Sequence, residues 1–112
     1  MSEYRPDAWV IIELTGSAIK DGPLRKVLGG WYGGYTGSDS WRMSSGIEKI
    51  VDADTHWEIH NFSGSIYLCG KNNERFTMLM TSQFLMYKAQ AETRPQGELT
   101  IRHVPIEEIP IG

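Results

Sequence analysis

Eight consecutive residues near the start, Ala8-Trp9-Val10-Ile11-Ile12-Glu13-Leu14-Thr15, constrain the fold more than any other stretch. They are β-branched and aromatic, which favours a strand, and they are apolar almost without interruption. A strand without a polar side has to be covered on both faces. Gly16-Ser17 and Lys20-Asp21-Gly22-Pro23 bracket the connection that follows. Residues 24 to 32, with Leu24, Val27, Leu28 and Trp31 apolar, are predicted as a second strand.

From Ser40 onward a period of two is legible. Trp41, Met43 and Ser45 fall on one face of a strand, and Arg42, Ser44 and Gly46 on the other. Ile47 to Val51 continues as β, and Asp52-Ala53-Asp54 makes a turn. The next strand points Trp57 and Ile59 inward and His56, Glu58 and His60 outward. Ser63-Gly64-Ser65 bends the chain again. Ile66 to Cys69 and Arg75 to Met80 are predicted as a hairpin joined by Lys71-Asn72-Asn73-Glu74, since Asn tolerates the positive φ of tight turns. Ser82 to Glu92 fits one short amphipathic helix with Phe84, Leu85 and Tyr87 apolar; a continuing strand through Phe84 to Lys88 fits as well. Glu98 to Val104 closes the pattern as a strand. An extended tail over residues 105–112 then carries Ile106, Ile109 and Ile111, to be docked on this chain or on a neighbouring copy. The expectation is one domain, mainly β (β-rich α+β): a small antiparallel barrel or sandwich of about six to seven strands with at most one short helix.

Composition narrows the partners. A formal net charge of -3 without runs of like charge excludes a protein that coats DNA or RNA. The single cysteine, Cys69, rules out an internal disulfide and a paired-cysteine metal site, and reads as a core thiol in a reducing compartment. No apolar run approaches the ~18 residues that cross a bilayer, so a soluble, cytoplasmic protein without a membrane partner is expected.

Chemistry concentrates between Gly29 and Gly46. This stretch holds two of the four tryptophans, several glycines, and serines around one arginine. Glycine lets backbone approach a ligand, aromatic rings offer stacking surfaces, and hydroxyls with a guanidinium donate to phosphate or ribose oxygens. Trp31, Tyr32, Tyr35, Trp41, Arg42, Ser44 and Ser45 are therefore the candidate ligand-binding residues, rings for a base and Arg42 for phosphate. Turn-and-core architecture explains the same residues, because Gly-Gly pairs punctuate hairpins and a small β protein needs large side chains in its core. The stretch is neither a Walker motif nor a Rossmann fingerprint.

A second constellation is His56, Glu58 and His60, projecting from one face of a strand with geometry usable for a metal or for acid-base work; an exposed polar face is the plainer explanation. Met78, Met80 and Met86 read as core filling. No nucleophile elbow and no Ser-His-Asp order stands out. No cofactor, no metal and no catalytic residue is assigned.

Trp41-Arg42-Met43-Ser44-Ser45-Gly46-Ile47 and Asn61-Phe62-Ser63-Gly64-Ser65-Ile66-Tyr67 resemble segments of small uncharacterised proteins encoded by bacteriophages and prophages, a likeness that spans about residues 30–70. The resemblance implies a phage accessory protein working in the host cytoplasm. Phages use small oligomeric β proteins to sequester the nucleotide signals of bacterial immune systems, so a homo-oligomer that holds a cyclic ADP-ribose-type or cyclic dinucleotide signal without turnover is the function implied. A nucleotide-signal hydrolase using His56, Glu58 and His60, and a protein-protein inhibitor or structural phage protein, are the alternatives. No binding residue carries over from the resemblance; those named come from the loop's own chemistry.

Overall fold

The computed structural model describes residues 2–33 and 37–111. Its elements are β1 (Glu3–Tyr4), β2 (Ala8–Thr15), β3 (Leu24–Trp31), β4 (Ser40–Met43), β5 (Ile47–Asp52), β6 (His56–Asn61), β7 (Ile66–Gly70), α1 (Met78–Glu92) and β8 (Thr100–Val104). The strands make two four-stranded sheets, ordered β4-β3-β2-β8 and β1-β7-β6-β5. All pairings are antiparallel except the short parallel edge of β1 on β7. The fold is thus mainly β, an open sandwich of two sheets and not a closed barrel.

The apolar run of β2 accounts for the layering. Trp9 and Ile11 point into a core between the sheets together with Val27, Ile59, Tyr67 and Cys69. Ala8, Val10 and Ile12 point the other way, into a second core that α1 covers with Met80 and Ala91. Both faces of β2 are covered as expected, one by a sheet and the other by a helix. Glu13, inside the same strand, stays buried because the Nε atoms of Arg25 and Arg102 donate to its two carboxylate oxygens at 3.0 and 2.9 Å.

One expectation fails for an identifiable reason, and three details are sharpened. Arg75 to Met80 is not the second arm of a hairpin: α1 begins at Met78, capped by Thr77, whose hydroxyl accepts from the Met80 amide at 3.1 Å. The helix therefore runs Met78–Glu92, longer than the short helix expected, and buries Met80 and Ala91. The tail is docked on its own chain, the first of the two placements expected. Ile106 to Glu108 forms a 3-10 turn, and Ile106 and Ile109 fill the core between the sheets of their own chain. Burial of these isoleucines therefore requires no neighbouring copy. The strand count reaches eight among the described residues because Glu3–Tyr4, two residues long, adds an edge with no sequence signature of its own. Among the described residues, no helix is long and apolar enough to cross a membrane.

Candidate functional site

The glycine and aromatic stretch does not form one site, because β3 and β4 send its side chains to different places. Trp41 pairs with Gly30 and faces the helix side, where its ring meets Tyr87 edge-on at 6.2 Å. Trp31 faces the other sheet and donates its indole proton to the Arg5 carbonyl at 3.0 Å. Tyr32 is half exposed; its amide donates to Asp7 Oδ2, and its hydroxyl receives the Arg75 guanidinium at 3.4 Å. Tyr35 lies outside the described residues. Trp41, Trp31 and Tyr32 thus belong to core or rim, as turn-and-core architecture predicts.

Arg42, Ser44 and Ser45 do come together. They line a concavity of about 300 Å³ where β4 of one sheet faces β1 and β7 of the other, with Tyr4, Tyr67, Ser63 and Ser65 in its wall beside Ser2 and Met43. Arg42 is on the inter-sheet side of β4 by the same alternation that sends Trp41 away. Its guanidinium carbon lies 4.5 Å from the centroid of the Tyr4 ring, a cation-π contact. Tyr4 in turn packs on Tyr67 at 5.0 Å and meets the Trp31 ring at 6.4 Å. Trp31 therefore supports the site from behind Tyr4 without lining it.

The serines are not equivalent. Ser44 Oγ accepts from the Val27 amide at 2.8 Å and donates to the Ser45 carbonyl at 2.7 Å, so its hydroxyl ties the β4–β5 crossover to β3. Ser45, Ser63 and Ser65 make a chain. Ser45 Oγ accepts from the Ser63 amide at 3.1 Å and donates to Ser63 Oγ at 3.0 Å, and Ser63 Oγ bonds Ser65 Oγ at 3.2 Å. Asn61 Nδ2 donates to Ser65 Oγ at 3.1 Å. Two hydrogen bonds join the three hydroxyls, so one of their three protons is left over, on Ser63 or Ser65.

Tyr67 is fully buried, and its hydroxyl finds no hydrogen-bond partner among the described residues. Burial pushes the phenol pKa up to about 12, while the nearby Arg42 guanidinium pulls the other way without a well-formed hydrogen bond to the oxygen. The group is a neutral donor at physiological pH. Arg42 is paired with no carboxylate among the described residues. A buried unpaired hydroxyl costs about 1–3 kcal/mol. Tyr67→Phe is therefore expected to hold or raise stability of the free protein, by up to about 1 kcal/mol, in urea unfolding. The sign with pH follows from the raised folded pKa: the contribution is complete below the ordinary value of 10 and is lost as pH climbs toward about 12. The alkaline fall in stability should be shallower in Tyr67→Phe; a clear loss of stability at neutral pH would show that the hydroxyl is satisfied.

His56, Glu58 and His60 project from the outer face of their sheet, as the alternation predicts. His60 Nε2 sits 3.4 Å from Glu58 Oε1, and His56 Nδ1 lies 3.2 Å from the Thr55 hydroxyl. Among the described residues, no group of three or more His, Cys, Asp or Glu side chains could hold a metal ion. Cys69 is buried between the sheets and its thiol pKa is pushed up by burial, so it is an inert core group. A larger cleft of about 660 Å³ is lined by Ile19, Leu24, Ile47 and Phe62 with Lys20, Asp21 and Arg25. Its Arg25 is paired with Glu13, and among the described residues no buried unpaired hydroxyl lines it.

Tyr4, Tyr67, Ser63 and Ser65 escape a reading of residues 29–46. One signal for the serines is present, since Ser45-Gly46-Ile47 and Ser63-Gly64-Ser65-Ile66 echo each other and become neighbours in space. The tyrosines carry none, because the β1–β7 pairing that aligns Tyr4 with Tyr67 joins distant parts of the chain. Compared with protein-family models, curated proteins and solved structures, the chain matches none, so its site is understood from its own residues.

Proposed function

We propose that this protein binds a nucleotide-derived small molecule in the pocket between β4 and β7 and releases it chemically unchanged. The observation that carries the proposal is the pocket's composition: among the described residues, one guanidinium without a carboxylate partner, a buried phenol without a hydrogen-bond partner, and a chain of serine hydroxyls with a spare proton. Such donors hold oxygen-rich ligands. Among the described residues, the lining includes no carboxylate, imidazole or thiol to serve as a general base or nucleophile, which favours retention over turnover. Sequestration of a bacterial immune signal during phage infection is the setting that the resemblance of residues 30–70 gives this activity. A homo-oligomer, part of the same proposal, has Met78, Leu85 and Met86 exposed on α1 as an apolar surface for association.

The test is retention followed by release. The protein is incubated with mononucleotides, linear and cyclic ADP-ribose derivatives and cyclic dinucleotides, the free ligand is measured, and the complex is heated. One member of the panel should disappear from solution and return with its mass unchanged. A new product peak, or no depletion across the panel, would overturn the proposal; native mass spectrometry of the same sample reads the copy number.

A further inference from the structure

The pocket's unpaired donors can be counted against the oxygens of a ligand. Three separate sources of donors belong to side chains that line one concavity: the Arg42 guanidinium from β4, the buried Tyr67 hydroxyl from β7, and the spare proton of the Ser63–Ser65 pair from the β6–β7 turn. None of the three is committed to a protein acceptor among the described residues, whereas Ser44 is fully used by Val27 and the Ser45 carbonyl. A phosphate diester offers two non-bridging oxygens and carries substituents on both sides. A phosphate monoester offers three terminal oxygens and one substituent, which leaves through the mouth. At about 300 Å³ the concavity is at the small end for ligand sites, suited to an anionic end group more than to a whole dinucleotide.

We infer that the pocket is a phosphomonoester subsite, in which Arg42, the Tyr67 hydroxyl and one Ser63 or Ser65 proton each donate to one terminal oxygen of the phosphate. The inference rests on the proposal that this pocket holds a ligand, and it narrows that ligand to molecules with a terminal phosphate, setting aside cyclic dinucleotides and the unphosphorylated ADP-ribose derivatives, whose phosphates all carry two substituents. Arg42 supplies the charge through a charge-assisted bond, and Tyr67 and the serine supply direction. The Tyr4 ring against the guanidinium fixes where that charge sits.

Three ligands that share a base and a sugar test it: adenosine 5′-monophosphate, 3′,5′-cyclic adenosine monophosphate and adenosine, with inorganic phosphate as a fourth. Titration calorimetry and amide chemical-shift mapping are run in Tris, which supplies no competing oxyanion. The monoester should bind ten- to hundredfold more tightly than the diester or the nucleoside. Alternatively, where the base is not recognised, inorganic phosphate alone should shift the amides of residues 63–65. Arg42→Gln and Tyr67→Phe should each weaken the phosphate-dependent part by tenfold or more while the free protein stays folded. Equal binding of all three adenosine compounds, with shifts at the pocket, would keep the ligand site and sink the phosphomonoester assignment. No shift with any of the four, phosphate at high concentration included, would overturn both. Binding of the monoester that survives Tyr67→Phe undiminished would overturn the three-donor geometry.

Discussion

Replacing Trp9 by alanine is expected to remove about 3–5 kcal/mol of stability, the largest loss of any single substitution proposed for this chain. Trp9 is fully buried in the core between the sheets, and its indole nitrogen donates to the Gly70 carbonyl at 2.7 Å, so one side chain spans from β2 to the end of β7. Its backbone is tied as well, with the Trp9 amide on the Asn73 carbonyl and the Arg75 amide on the Trp9 carbonyl, at 3.1 and 3.0 Å. Trp9→Phe keeps most of the buried ring and loses the bond to Gly70, at a cost of about 1–2 kcal/mol. The difference between the two variants in urea unfolding separates packing from hydrogen bonding. The same contact matters to the pocket, because β7 carries Tyr67 on one sheet and the Arg42 guanidinium comes from the other. Ligand affinity should therefore fall in Trp9→Phe although Trp9 lies outside the pocket wall. Equal stability of Trp9→Ala and Trp9→Phe would show that the indole cavity collapses freely and that the spacing of the sheets is held elsewhere.

Gly16→Ala is expected to cost about 2–4 kcal/mol, a second large effect, from exchanging one hydrogen atom for a methyl group. Gly16 has φ +120°, a conformation that side-chain-bearing residues avoid, and a Cβ built there would lie 2.4 Å from the Glu98 carbonyl oxygen. That obstacle is backbone and cannot rotate aside. The connection after β2 is bonded at this point, through the Ser17 amide on the Gly97 carbonyl and the Ala18 amide on the Glu98 carbonyl, at 3.0 and 2.9 Å. Gly97 is the control. It too has positive φ, at +83°, but a Cβ there meets nothing within 4 Å, so Gly97→Ala should cost only about 1 kcal/mol of backbone strain. Thermal unfolding followed by circular dichroism reads both, and about 4–8 °C per kcal/mol is expected for a domain of this size. If Gly16→Ala melts no earlier than Gly97→Ala, the contact with residues 97 and 98 is not a constraint on the fold.

Much of the architecture was legible in local pattern. Ala8 to Thr15 has no polar face, and the chain covers it on both sides; Trp57 and Ile59 point inward and His56, Glu58 and His60 outward because a strand has a period of two. Helix onset was harder to read. Met78-Leu79-Met80 is compatible with strand or helix by hydrophobicity alone, and the capping hydroxyl of Thr77 decides it. Residues 105–112 show the same limit: prolines and isoleucines say that the tail must be stiff and must be covered, but only the space left between the sheets makes its own chain the cover.

The pocket divides along the same line. Alternation by itself put Arg42 and Trp41 on opposite faces of β4, so a site that includes Arg42 leaves Trp41 to the core. The sequence by itself also supplied an arginine, several serines and an echo of Ser-Gly turns. What tertiary structure decided was which of them meet. The crossover through Ser44 and Ser45 carries the chain from one sheet to the other, and the parallel edge of β1 on β7 delivers Tyr4 beside Tyr67. Hydrogen-bond satisfaction is a property of that assembly. Ser44 and Tyr67 are both hydroxyl donors in the sequence, and only their surroundings make the first a fastener and leave the second without a partner among the described residues.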